Sequence, residues 1–128
     1  MSIIDTIKKI ELISTPHPAS QQEIAMAEKK LCLKFAKDYR EYLRVYGSIT
    51  FYGHELTGIC DAQYKNVVYA TLQERECDSS IPVNWYVIER TNIDGIVIWQ
   101  STKGAVYQTS PNTKSKKISN SLTEYINL

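Results

Sequence analysis

Asp38-Tyr39-Arg40-Glu41-Tyr42-Leu43, continued by Arg44-Val45-Tyr46-Gly47, is the stretch on which the reading of this 128-residue chain turns. Tyr39, Tyr42, Leu43 and Tyr46 recur at three and four residues, the spacing of one helix face, and Lys37, Arg40 and Arg44 fall on the other side. Gly47 stands where a left-handed C-terminal cap is wanted. The spacing predicts a helix from about Lys37 to Tyr46 that buries a tyrosine-rich stripe.

Upstream, Ser20-Gln21-Gln22-Glu23 is a capping-box pattern in which hydroxyl and carboxylate each satisfy a free N–H, so a helix should run from about Gln21 to Lys30. Before it, Ile3, Ile7 and Ile10, with Ile4 and Ile13 alongside, form an amphipathic stripe that starts at Ser2. Thr15-Pro16-His17-Pro18 ends that stripe, because proline cannot continue a helix. Downstream of Gly47 the texture changes. Ile49-Thr50-Phe51-Tyr52 and His54-Glu55-Leu56-Thr57, separated by Gly53, are short and β-branched or aromatic, and read as strands. Residues 66–76 read as either helix or strand, their length favouring helix, and a loop follows over 77–82. Trp85-Tyr86-Val87-Ile88, Gly95-Ile96-Val97-Ile98-Trp99 and Ala105-Val106-Tyr107 predict an antiparallel meander. Ser121-Leu122-Thr123-Glu124 repeats the capping box and opens a short terminal helix. Helices, then sheet, then a last helix indicate one α+β domain over 1–128, with N-terminal helices packed on an antiparallel sheet.

Composition bounds the function. Hydrophobic residues at 43% and charged residues at 23% are ordinary globular usage. The apolar runs are far too short to cross a bilayer, and the mixed N-terminus offers no signal-peptide core, so a cytoplasmic protein with no membrane association is expected. Cys32, Cys60 and Cys77 form an odd set with no C-x-x-C pair, which argues for reduced thiols and against zinc. Cys32, between Leu31 and Leu33, reads as a small core residue.

Charge is uneven. Residues 29–44 carry six basic groups against Asp38 and Glu41, and Lys114, Lys116 and Lys117 form a second basic cluster. Residues 55–94 carry seven acids against Lys65, Arg75 and Arg90. The basic stretches suit phosphate contacts, yet a pI near 7.7 and the lack of a recognised motif point to a solvated basic face with no direct nucleic-acid binding. The acidic middle suits a basic protein partner, since complementary charge speeds and orients association.

A catalytic set is hard to assemble. His17 is held between two prolines, and His54 is followed by Glu55, whose side chain should point to the opposite face of a strand. No nucleophile elbow, zinc helix, phosphate loop or calcium loop occurs, so no cofactor and no metal are expected. A hydrolase centred on His54 and Glu55 is the minor alternative.

The ordered features Ala27-Glu28-Lys29-Lys30-Leu31, Asp38 to Leu43, Tyr46-Gly47, Glu55-Leu56-Thr57-Gly58, Trp85 to Ile88, Asp94-Gly95, Gly104 to Tyr107 and Ser121 to Ile126 together resemble the SUKH superfamily. Its bacterial members are mostly immunity proteins for polymorphic toxins. The chain departs from the family at Cys32, where glycine often follows the leucine that ends the second helix, and at Ala36, near a frequent proline. The resemblance implies a binding scaffold whose partner is a toxin encoded by a neighbouring gene, with a nuclease C-terminal domain. A regulatory or scaffold module of the same fold, and a homodimer paired through a strand edge, are the other expectations. Acidic side chains that mimic phosphate make Glu55, Asp61, Glu74, Glu76 and Asp78, with Trp85, the candidate partner-binding residues.

Overall fold

Tyr39, Tyr42, Leu43 and Tyr46 all point inward from helix α3 (Lys37–Tyr46). The computed structural model describes residues 2–128. The stripe is apolar in area but not in chemistry, and the hydroxyls of Tyr39 and Tyr42 both find partners. Tyr42 donates to the Thr57 carbonyl at 2.7 Å and accepts from the Ile49 N–H at 3.1 Å. Tyr39 meets the Thr57 hydroxyl at 2.8 Å. Their rings join Phe35 and Tyr86 in a cluster with centroids about 5 Å apart, in the tilted and edge-on arrangements aromatic quadrupoles favour. Burial pushes the pKa of Tyr39, Tyr42 and Tyr86 well above the ordinary value.

Helix α2 (Gln21–Leu31) begins with the full capping box, Ser20 accepting from the Glu23 N–H and Glu23 from the Ser20 N–H. Helix α1 (Ile3–Lys8) is shorter than its isoleucine stripe suggests. Beyond Lys9 the backbone is taken up by sheet-like pairing: Leu12 bridges Phe51, and the Ile13 N–H donates to the Thr50 carbonyl at 2.8 Å. Gly47 is required by close approach as well as by its φ of 75°, because a Cβ there would lie 1.9 Å from the His17 carbonyl oxygen. His17 therefore belongs to the turn that wraps α3, its N–H donating to Tyr46.

Strands β1 (Thr50–Phe51) and β2 (His54–Glu55) make a small hairpin. The main sheet is an antiparallel meander of β3 (Trp85–Arg90), β4 (Val97–Ser101), β5 (Val106–Thr109) and β6 (Lys116–Ser119), paired in that order. Strand β6 lies in a stretch that reads only as basic in the sequence. One sheet face, with Tyr86, Ile88, Ile98 and Val106, packs on α1, α2, α3 and the short α5 (Leu122–Ile126). The other face carries Trp85, Val87, Val97 and Trp99 in a second core with Ile81 and Ala70 of α4 (Val67–Cys77). Asp38 ties the layers, accepting from Gln100 on β4 at 3.0 Å and from the Leu122 N–H at the start of α5 at 2.8 Å.

The outer edge of β3 is closed. Thr57 donates its N–H to the Ile88 carbonyl and its hydroxyl to Val87, while Thr71 of α4 accepts from the Val87 N–H. The free edge is β6, where Lys116 and Lys117 are exposed, the placement that discourages strand-to-strand association.

Cys32 is exposed, which corrects the core assignment. It is the residue after α2, with φ 56° and ψ 41°, and this left-handed turn points its side chain to solvent.

Candidate partner-binding face

A bulge in β3 builds the first half of this face. Val87 pairs with Trp99, but Glu89, not Ile88, pairs with Ile98, so one extra residue is accommodated between them. The irregularity turns the Glu89 carboxylate to the helix side of the sheet, where regular alternation would place it among the tryptophans. Glu89 is 3% exposed, and it gathers donors from two distant segments. His54 Nδ1 lies 3.0 and 3.1 Å from its two oxygens, the Glu55 N–H donates at 3.1 Å, and the Tyr125 hydroxyl donates from α5. Burial, then the neighbouring Glu89, pushes the Tyr125 pKa up. The His54 ring also stacks on Phe51, with centroids 5.0 Å apart.

Above this network lies a cleft of about 250 Å³, lined by His54, Glu55, Tyr64, Lys65, Glu89 and Thr91 among others. The sequence pair His54 and Glu55 is not the one that forms: the histidine's carboxylate partner is Glu89, 35 residues away. The threonine hydroxyls in the cleft are in use. Thr50 accepts from Lys65, Thr57 donates to Val87 and Thr91 donates to Ile96. No serine or cysteine lines it. The arrangement fixes an imidazole and a carboxylate without placing a nucleophile beside them. Among the described residues, no three or more His, Cys, Asp or Glu side chains gather as metal ligands.

The second half of the face is a groove over the outer side of the sheet. The end of α4 and residues 78–82 form one wall, and residues 109–115 of the β5–β6 turn form the other. Glu74 and Asp78 stand on the first wall, with Trp99 and Trp85 beneath. Glu74 lies 3.6 Å from Arg90 Nε, and Arg90 also donates to Gln73 at 2.7 Å. Asp78 accepts from the Ser80 hydroxyl at 2.6 Å and N–H at 3.0 Å, bonds that hold its pKa below the usual carboxylate range. Trp85 is a correction to the expected surface contact: it is 8% exposed, its ring stacked on Tyr107 at 4.1 Å, so it is the floor of the groove and part of the second core.

The structure thus brings Glu74, Asp78 and Trp85 to one groove and places Glu55 in the other hollow. Glu76 is exposed on α4, and Asp61 is exposed in the loop before Tyr64. The two hollows flank the turn between β3 and β4, since Arg90, Thr91 and Asn92 line the cleft and Gly95 lines the groove. Sequence reasoning misses Glu89 and Tyr125, whose roles depend on the bulge, and Tyr64, whose exposed ring beside Glu55 has no periodic signature. The basic residues of α3 lie elsewhere, where the buried Glu28 accepts from the Phe35 N–H and sits 3.9 Å from Arg40 and 4.0 Å from Lys34.

A family model, SUKH_5, described as SMI1-KNR4 cell-wall, matches residues 1–127 of the chain. No curated protein matches it.

Proposed function

Because the chain belongs to the SUKH superfamily, through the SMI1-KNR4 family that its residues 1–127 match, we propose that it is an immunity protein that binds and neutralises a cognate toxin. SUKH domains are generally binding modules, and the motif residues of this one are framework: Tyr39, Tyr42, Leu43 and Gly47 hold the core and its turns. The observation that supports the proposal is an acidic surface in two places, with Glu55 exposed beside the hairpin cleft and Glu76 and Asp78 exposed at the end of α4. Such a face complements a basic enzyme, and a nuclease must be basic where it holds phosphate. The partner is accordingly a toxin with a nuclease domain, encoded by a neighbouring gene and met in the cytoplasm.

The test is to mix the chain with the product of its neighbouring gene and measure nucleic-acid cleavage and complex formation. Cleavage abolished at a one-to-one ratio is the expected result; undiminished cleavage with no complex overturns the proposal. Pairing of two copies through a strand edge would use β6, where Lys116 and Lys117 oppose it, and sedimentation of the free protein tells a monomer from a homodimer that pairs through another surface.

A further inference from the structure

We propose, on the reading that this chain works by binding a protein, that the hairpin cleft is the seat for one arginine side chain of that partner. Size comes first. At about 250 Å³ the cleft is smaller than the roughly 300–1,000 Å³ of pockets that hold cofactors or drug-sized ligands. It is the size of a side chain.

The rim is that of a protein contact. Ile13 and Tyr64 line the cleft while 71% and 56% exposed, and Tyr52, at the tip of the hairpin beside Gly53, is 92% exposed. Large side chains left in water around a hollow mark a surface that is covered when the protein works. Tyrosines are frequent anchors of such surfaces because they give much contact area for little lost freedom.

Charge selects the occupant. The cleft holds two carboxylates, Glu55 at the mouth and Glu89 at the base, against Lys65, whose ammonium is bonded to the Thr50 hydroxyl. Arg90 also lines it, but its guanidinium faces Glu74 and Gln73 on α4. Two carboxylates against one ammonium leave one negative charge among these groups, and one cationic side chain balances it. Arginine fits better than lysine. Its planar fork matches the Glu55 carboxylate, its face stacks on the exposed Tyr64 ring, and its stem covers Ile13. The carboxylate of Glu55 already acts on the Tyr64 hydroxyl and raises its pKa, so fork and stacking surface stand side by side.

The test has two arms. In the first, the full chain is titrated with N-acetyl-arginine methylamide, followed by amide chemical shifts, with the lysine and norleucine analogues in parallel. The expected result is saturable shifts confined to residues 52–55, 64–65 and 89–92, strongest for arginine and absent for norleucine; no localised shifts, or equal shifts with norleucine, overturn the proposal. In the second arm, Glu55→Gln and Tyr64→Ala are measured against the neighbouring gene product. Both residues are exposed and neither is core, so the variants fold, and each weakens binding at least about tenfold. Wild-type affinity in both variants overturns the anchor while leaving toxin binding intact. Arginine-specific shifts with no binding of the neighbouring product sink the toxin assignment and leave the anchor standing.

Discussion

Replacing Cys32 with glycine should stabilise the protein. Cys32 ends α2 at φ 56° and ψ 41°, where an L-residue's Cβ crowds its own backbone at a cost of about 1–2 kcal/mol. Glycine is free of that cost, but its greater freedom in the unfolded chain takes back about 0.5–1 kcal/mol. Little else is lost, because the side chain is exposed and its thiol makes only a long 3.7 Å contact to the Lys29 carbonyl. The net gain is about 0.5–1 kcal/mol, or roughly 2–5 °C in Tm for a chain of this length. Urea unfolding followed by circular dichroism reads it as a higher midpoint with an unchanged m value. Cys32→Ala keeps the Cβ and is the control, expected within about 0.5 kcal/mol of wild type. A midpoint lowered by Cys32→Gly would refute the strain argument, and an equal rise in Cys32→Ala would assign the effect to the thiol.

Ala36→Pro should destabilise by about 1–3 kcal/mol although φ there is −62°, because the Ala36 N–H donates to the buried Tyr86 hydroxyl at 2.9 Å; calorimetry checks it. Trp85→Ala should cost about 3–5 kcal/mol in urea unfolding, the loss expected of a buried ring and not of a surface contact. Charge reversal at Glu74, Glu76 and Asp78 together should weaken toxin binding, measured by calorimetry at two salt concentrations; an unchanged Kd moves the contact off α4. Tyr39, Tyr42, Tyr86 and Tyr125 ionise with more difficulty folded than unfolded. Their contribution to stability is therefore complete below pH 10.0, the ordinary tyrosine value, and is lost as pH rises above it. Phenolate absorbance should show these four ionising only together with unfolding.

Periodicity makes α3 legible in the sequence to the residue, and the capping-box patterns at Ser20 and Ser121 place two helix starts correctly, although at Ser121 the Glu124 carboxylate accepts from the Asn120 N–H instead of closing the box. These are local signals, and local physics answers them. Long-range pairing overrode them elsewhere: Leu12 and Ile13 leave the isoleucine stripe because Phe51 and Thr50 offer backbone partners. Strand β6 has too few apolar residues to read as a strand and forms because β5 needs a neighbour. In the site, the exposed acids of α4 were visible because helix and loop residues of that kind face water by default. The Glu89 network was not, because adjacency in sequence suggested His54 with Glu55, and a bulge has no compositional mark.

Glu89 makes the β1–β2 hairpin, the end of strand β3 and Tyr125 a single mechanical joint. The last helix is thus the hasp on the hairpin and no mere tail. During synthesis the hairpin emerges well before the residue that fastens it, so the cleft is finished only when the chain has been made as far as Tyr125. A truncation just short of Tyr125 leaves the hairpin unlatched and strips α5 of two of the side chains, Tyr125 and Ile126, that pack on the core.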